Sequence, residues 1–377
     1  MTRIEYLRVD GLAGRSEPIE IYFHPRTNVI FGLNGTGKSS LLRILAAGLN
    51  SDVSTLEKLP FEAAEIRFWS HAFKDQITRR ISRNDDREQL IRKETLFGSA
   101  GEPVEIEILE GSGVGSWRTI PERFTDRRFK SEFLSTFRLA EGFRSTARNG
   151  QLRTEDELNE LFASQLQNAW RRYSSLSYSR INKIQSEALV EILSSFLSEP
   201  EKESKPIDPV TAYRRVQRFM RRQDSRMPQS RVEFTRSYKD DSKLRAAVAR
   251  IDQIERQIEQ AERPRKELQA LVERFVTGPK HIEFAPGDIS VRDDSGEVID
   301  LARLSSGEKQ LLRILVAGVD AERMVMIIDE PELSLHIDWQ RELLDAVNTL
   351  TVETQVIVAT HSPEIMATVP DDQIVML

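Results

Sequence analysis

One run of nine residues, Gly32, Leu33, Asn34, Gly35, Thr36, Gly37, Lys38, Ser39 and Ser40, restricts the chain more than any other. It follows a buried apolar stretch, 28–31, and opens a segment, 39–49, in which Leu41, Leu42, Ile44, Leu45 and Leu49 recur at helical spacing. Strand, glycine turn and helix in that order match the pattern G-x-x-x-x-G-K-[ST]. Backbone N–H groups of such a loop, with the positive end of its helix, cradle phosphate oxygens. Lys38 is expected to reach the β and γ phosphates of a nucleotide and Ser39 to ligate Mg²⁺, with Asn34, Gly35, Thr36, Gly37 and Ser40 lining the cradle.

A second apolar run, Val325, Met326, Ile327 and Ile328, delivers Asp329 and Glu330 at its end. By itself this is a strand reaching the surface. Paired with the phosphate loop, Asp329 is expected to hold Mg²⁺ through water and Glu330 to polarise an attacking water as general base. Other strands are expected at 4–9, 19–23, 65–69, 104–109, 289–291, 298–301, 355–359 and 373–377, with a glycine hairpin turn at 111–115.

The chain has 377 residues, enough for two or three structural units. Its 54 Lys and Arg against 60 Asp and Glu leave a net charge of -6, so contact with nucleic acid would have to come from a local patch. Cys is absent, which excludes disulfides, thiol nucleophiles and thiolate metal sites, and the five His show no close pair. No apolar run approaches the ~20 residues of a membrane span, and the N-terminus lacks the pattern of a signal peptide. A cytoplasmic protein with no membrane partner is expected. The sequence ends at Leu377 on a strand, from which no following nuclease domain is expected.

Helical periodicity replaces the strand pattern over 131–278. Leu244, Val248, Ile251, Ile254, Ile258, Ala261, Leu268, Val272 and Phe275 fall near a and d positions, with a break expected at Pro264. A helix around Leu189, Ile192, Leu193, Phe196 and Leu197 is a suitable partner. The pattern suits either a short antiparallel arm, like a coiled coil, or an ordinary bundle core. Residues 199–209, rich in Pro and charge, read as an exposed linker. The expected division is therefore 1–130 and 279–377 as the two parts of one head, and 131–278 as a helical insertion.

Leu304, Ser305, Ser306, Gly307, Glu308, Lys309 and Gln310 precede an amphipathic helix, and Ser306 is expected to cap it. This heptapeptide resembles the signature motif of ATP-binding-cassette (ABC) ATPases, some twenty residues before the Asp329–Glu330 strand. Glu332, Leu333, Ser334, Leu335 and His336 resemble the D-loop of that family, and Ala359, Thr360, His361 and Ser362 its switch-histidine loop. The chain thus resembles the RecF, SMC and OLD-nuclease branch of ABC ATPases. GLNGTGKSS, DEPELSLHIDWQ and ATHSPEI are most similar to ATPase subunits of bacterial anti-phage systems, such as AriA of PARIS and PtuA of Septu.

The resemblance implies an α/β P-loop head of ABC type that uses ATP and Mg²⁺. It also implies a head-to-tail dimer, or a higher assembly, in which Ser305, Ser306 and Gly307 of one protomer cap the γ-phosphate held by Lys38 of the other, with His361 as catalytic switch residue. The function it implies is an ATP-driven sensor that controls a separate effector, a nuclease or toxin, and answers to a nucleic-acid or phage-protein trigger. A RecF- or SMC-like ATPase that clamps DNA is the alternative, and a transporter motor fits less well because of the long insertion. For the Mg²⁺-sensing Gln of the family, Gln76 and Gln151 are both open.

Within the insertion, residues 213–239 hold Arg214, Arg215, Arg218, Arg221, Arg222, Arg226, Arg231, Arg236 and Lys239 against Asp224 and Glu233, a local charge of +7. Tyr213, Phe219, Phe234 and Tyr238 are interleaved, and Phe219 fits a helical core face as well as a stacking platform for bases. A phosphate backbone, an acidic partner protein and a plain solvated helix face all fit this composition. A second basic stretch runs over 118–153.

Overall fold

The computed structural model describes residues 1–83, 90–97, 103–110, 116–125, 127–129, 131–135, 154–197, 207–222, 225–227, 229–351 and 353–377. The chain forms two compact units, residues 1–166 with 300–377 and residues 167–299.

The first unit is built on a five-stranded parallel sheet in the order Ile374–Met376, Thr27–Phe31, Gln355–Thr360, Val325–Asp329 and Ser131–Ser135. Parallel strands covered on both faces read as continuous apolar runs, and Val325–Asp329 and Gln355–Thr360 are buried at every position. Val325, Ile327, Ile357 and Ala359 join a core with the helix Lys38–Asn50, while Met326, Ile328, Val356 and Val358 are buried in alternation with them. Register sets the site. Asp329 pairs with Ala359, and Thr360 with Phe31, so three strands end together along one edge of the sheet.

An antiparallel sheet in the order Ile19–Tyr22, Arg3–Asp10, Ala63–Ser70, Asp75–Ser82 and Arg118–Ile120 packs its apolar face, including Leu7, Ile66 and Ile77, into the core that holds the helix Lys38–Asn50. A Cβ at Gly48 would fall 2.2 Å from Ile66 Cδ1, so glycine here lets that side chain lie directly against the helix. Arg79, fully buried, donates to the carbonyls of Gly48, of Leu49 at 3.1 Å and of Phe124 at 3.3 Å. A guanidinium is well placed at the negative end of a helix, and burial pushes its pKa down to about 10.

In the second unit, Phe219 of the helix Pro209–Arg222 packs with Ile251, Ile254 and Ile258 of the helix Ser242–Phe275. Ala188, Ile181, Ile184 and Ile192 complete that cluster from the helix Glu155–Leu197, so the apolar positions serve a bundle core of three helices. The break expected at Pro264 does not occur, because Ile258 and Leu268 anchor the turns on either side of it. Leu189, Leu193, Phe196 and Leu197 have side chains outside the described residues, as do most of the expected linker 199–209, the glycine turn 111–115 and much of the basic stretch 118–153.

Both borders of the insertion differ from those expected. Ser131–Ser135 pairs with Val325–Asp329 and so belongs to the head. The hairpin of Lys280–Ala285 and Asp288–Asp293, expected in the head, clusters with the helices. Trp170 is its anchor: the indole N–H donates to Ala285 O at 2.7 Å and the ring meets Phe284 edge-on at 5.0 Å. Among the described residues no helix is long and apolar enough to cross a membrane.

Candidate functional site

The phosphate loop turns tightly at two glycines with positive φ, Gly35 at 85° and Gly37 at 98°. A Cβ on Gly37 would also lie 2.9 Å from Leu12 Cδ2, so the loop is supported from the N-terminal segment. Lys38 is buried, and its ammonium donates to Gly32 O at 2.8 Å and Leu33 O at 2.9 Å. Asn34 and Gly35 are exposed, with Thr36, Ser39 and Ser40 half-buried. Arg15, which sequence reasoning passed over, donates to Thr36 O at 3.4 Å.

Across the sheet edge, Ser39 Oγ donates to Asp329 Oδ1 at 3.1 Å. The carboxyl is 1% exposed, and its other oxygen, Oδ2, has no hydrogen-bond partner. A buried acceptor without a donor is costly unless something else satisfies it. A hydroxyl and a half-satisfied carboxylate suit Mg²⁺, a hard cation that keeps several waters and takes phosphate oxygens as further ligands. No cluster of three or more acidic or His side chains able to hold a metal occurs among the described residues, so an ion here would need those phosphates.

Burial raises the pKa of Asp329 from 3.8 to about 6, with Ser39's hydrogen bond opposing and the charge of Glu330 adding to the rise. A carboxyl whose pKa rises on folding binds its proton more tightly in the folded chain. The contribution of Asp329 to folding stability therefore falls as pH rises from 3.8 to about 6, to a steady penalty of about 3 kcal/mol above that window. Asp329→Asn is expected to remove this dependence. Without Mg²⁺, thermal melts at pH 7 to 8 should show the variant more stable than the parent, with the difference vanishing below pH 4. A lower melting temperature at pH 7 would contradict the assignment.

Glu330 follows with φ of 47°, a conformation that costs a non-glycine residue about 1–3 kcal/mol, and its N–H donates to Ala359 O at 2.8 Å. Its Oε1 lies 4.0 Å from His361 Nδ1. Glu332 Oε1 is closer, 3.0 Å from the same nitrogen. Sequence reasoning placed Glu332 only as the first residue of the D-loop. The DEPE spacing held a further signal, a third carboxylate two residues beyond Glu330.

Lys38, Ser39, Asp329, Glu330 and His361 thus come together at the ends of three neighbouring strands. Ser305, Ser306 and Gly307 form a second group, at the start of the helix Ser306–Asp320. Here the expected cap is corrected. Ser305 is the N-cap, accepting from Glu308 N at 3.2 Å, and Glu308 accepts from Ser305 N at 2.7 Å. A capping box sets its Ser three residues before its Glu, which selects 305 and leaves Ser306 as the first helical residue, exposed. A Cβ on Gly307 would fall 2.6 Å from Ser334 O, so this helix start and the loop at 332–336 pack at a glycine. Gln76 lies exposed on Asp75–Ser82 and donates to Glu5 at 2.7 Å, which gives it to the antiparallel sheet; Gln151 lies outside the described residues.

The aromatic residues of the Arg-rich segment are internal. Phe219, Phe234 and Tyr238 are buried, and Tyr213 meets Phe234 at 5.5 Å, so they do not form a stacking platform. Arg215 pairs with Asp252, and Arg218 with Glu255 at 3.8 Å. Arg214, Arg221, Arg226, Arg231, Arg236 and Lys239 are exposed.

A family model described as "AAA domain, putative AbiEii toxin, Type IV TA system" matches residues 27–367. Two curated relatives are the retron Vc95 probable ATPase of Vibrio cholerae, 27% identical over 30% of this chain and 25% of that protein, and the retron Ec83 probable ATPase of Escherichia coli, 30% identical over 26% and 20%. The chain spans a quarter or less of the length of these relatives. Among solved structures, an SMC head domain from Pyrococcus furiosus aligns over 97% of this chain and 92% of its own, with 13% identity and a TM-score of 0.45. The SMC head of Thermotoga maritima aligns with 14% identity and a TM-score of 0.41, over 97% of this chain and 91% of its own.

Proposed function

This chain belongs to the family of AAA domains described as putative AbiEii toxin, Type IV TA system, and on that premise we propose that it is an ATP-binding and ATP-hydrolysing switch subunit of a prokaryotic defence system. The observation that carries the ATPase reading is the Ser39–Asp329 pair at 3.1 Å with Asp329 Oδ2 unsatisfied, set between the phosphate loop and Glu330. Lys38 holds the β and γ phosphates. Ser39 and Asp329 hold Mg²⁺, which when bound offsets the charge that develops on the transferred phosphoryl group. Glu330 accepts the proton of the attacking water, and His361 borders that carboxylate. Ser305, Ser306 and Gly307 close the site from a second protomer in a head-to-tail dimer. The retron ATPase relatives support the defence role.

In this reading the switch controls a separate effector, a nuclease or toxin, as the resemblance to ATPase subunits of anti-phage systems implies. ATP can bias an open and a closed dimer only by its differential affinity for the two, so the effector or its trigger must prefer one of them. The exposed cations of residues 214–239 are its dock. Expression of the chain alone and with its genomic neighbour, followed by phage challenge and nuclease assays, tests the division of labour. The pair is expected to restrict phage and the chain alone to fail. Reversing Arg214, Arg221 and Arg236 to Glu should abolish partner or trigger binding while leaving Mg²⁺-dependent ATP hydrolysis within about twofold. Full protection by the chain alone would refute the switch reading.

A further inference from the structure

Two carboxylates approach Nδ1 of His361, and the deeper of the two makes all the short contacts. Glu332 Oε1 accepts from Thr360 Oγ1 at 2.6 Å and from His361 N–H at 2.8 Å, and lies 3.0 Å from His361 Nδ1. Its side chain is 4% exposed, against 18% for Glu330. The switch loop is tied further. Thr360 Oγ1 also accepts from Ser362 N–H at 3.0 Å, and Ser362 Oγ donates to Gln340 at 2.7 Å.

We propose that Glu332 is a positioning residue for ATP hydrolysis, which by holding Nδ1–H of His361 fixes the imidazole in one rotamer and one tautomer beside Glu330. A neutral imidazole donates through one nitrogen and accepts through the other, and the hydrogen bond made by the first decides the role of the second. With Nδ1 donating to Glu332, Nε2 is left as the acceptor of a hydrogen bond. Glu330 at 4.0 Å is too far to compete for Nδ1. The three contacts on one oxygen make Glu332 a bracket on both backbone and ring. It acts through His361 and does not touch the reacting atoms.

The inference rests on the ATPase reading of this site, so its test has one readout that needs no turnover. In the nucleotide-free full chain, ¹⁵N-labelled histidine resonances, with His361 assigned by its loss in His361→Gln, are expected to show Nδ1 protonated. Glu332→Ala should shift that ring to a mixture of tautomers, and Glu332→Gln, whose amide oxygen keeps the acceptor, should preserve it. An unchanged tautomer in Glu332→Ala, or Nδ1 unprotonated in the parent, overturns the proposal whatever the enzyme does.

Steady-state kinetics supply the second readout. Loss of the acceptor that orients the ring predicts a fall in kcat of about tenfold to a hundredfold for Glu332→Ala, with KM for ATP changed less than about threefold and near-parental kcat in Glu332→Gln. In the His361→Ala background, Glu332→Ala should cost far less than in the parent, since the ring it holds is gone and only its contacts to Thr360 Oγ1 and the backbone N–H of residue 361 are left to lose. Equal losses in both backgrounds would overturn the proposal, and equal loss in Glu332→Gln would do the same. A parent that hydrolyses no ATP would sink the proposed function and leave the resonances to decide this one.

Discussion

Glu330→Gln is expected to bind ATP with affinity within about threefold of the parent and to lose hydrolysis by a factor of a hundred or more. Gln is isosteric with Glu, so the hydrogen bond from Glu330 N–H to Ala359 O and the positive φ of this residue can persist. What is lost is the acceptor for the proton of water. ATP-closed dimers should therefore accumulate, visible as a doubled mass in light scattering with ATP and Mg²⁺. Lys38→Ala separates binding from chemistry. Its ammonium is the buried charge of the phosphate loop, and its removal should weaken nucleotide binding itself, measured by equilibrium titration. Near-normal hydrolysis by Glu330→Gln would remove it as general base.

The second large effect concerns the shared site. If each composite site takes Lys38 from one protomer and Ser306 with Gly307 from the other, Lys38→Ala and Ser306→Arg homodimers should both be inactive. A mixed dimer gathers both lesions in one site and leaves the other whole. Equal mixing should then restore about a quarter of parental turnover, provided the sites fire independently. Ser306 suits this test because it is exposed at the start of its helix, so Arg there blocks an approaching surface without disturbing the core. Mixed dimers proven by mass and still silent would mean strict coupling or a different interface.

These effects start from residues that could be read in order along the chain. The phosphate loop is a local device: Gly35, Gly37, Lys38 and Ser39 lie within five residues, and the conformation they need follows from their own φ preferences and the helix they open. The strand that ends in Asp329 and Glu330 was legible for a like reason, since a buried parallel strand must be apolar throughout. The cap of the signature helix was also legible in principle. Ser305 and Glu308 stand at capping-box spacing, and only the choice between two adjacent serines went to the wrong one.

Tertiary structure decided whatever depends on residues far apart in the chain. Ser39 and Asp329 are 290 positions apart, and their contact exists because parallel pairing sets Asp329 beside Ala359 and Thr360 beside Phe31, which brings three strand ends to one edge. Glu332 reads as an ordinary D-loop acid until that edge places it under Thr360 and His361. The borders of the insertion moved for the same reason. Periodicity marks helix or strand, but pairing with Val325–Asp329 assigns Ser131–Ser135 to the head, and Trp170 assigns the hairpin at Lys280–Asp293 to the helices. The aromatics among the arginines carried two readings by composition, and burial of Phe219, Phe234 and Tyr238 chose core. Sequence by itself determined the nucleotide loop, the carboxylate strand and the α/β class, because each is encoded in neighbouring residues. Which side chains meet at the site was decided by strand register, a property of the assembled sheet that no single segment contains.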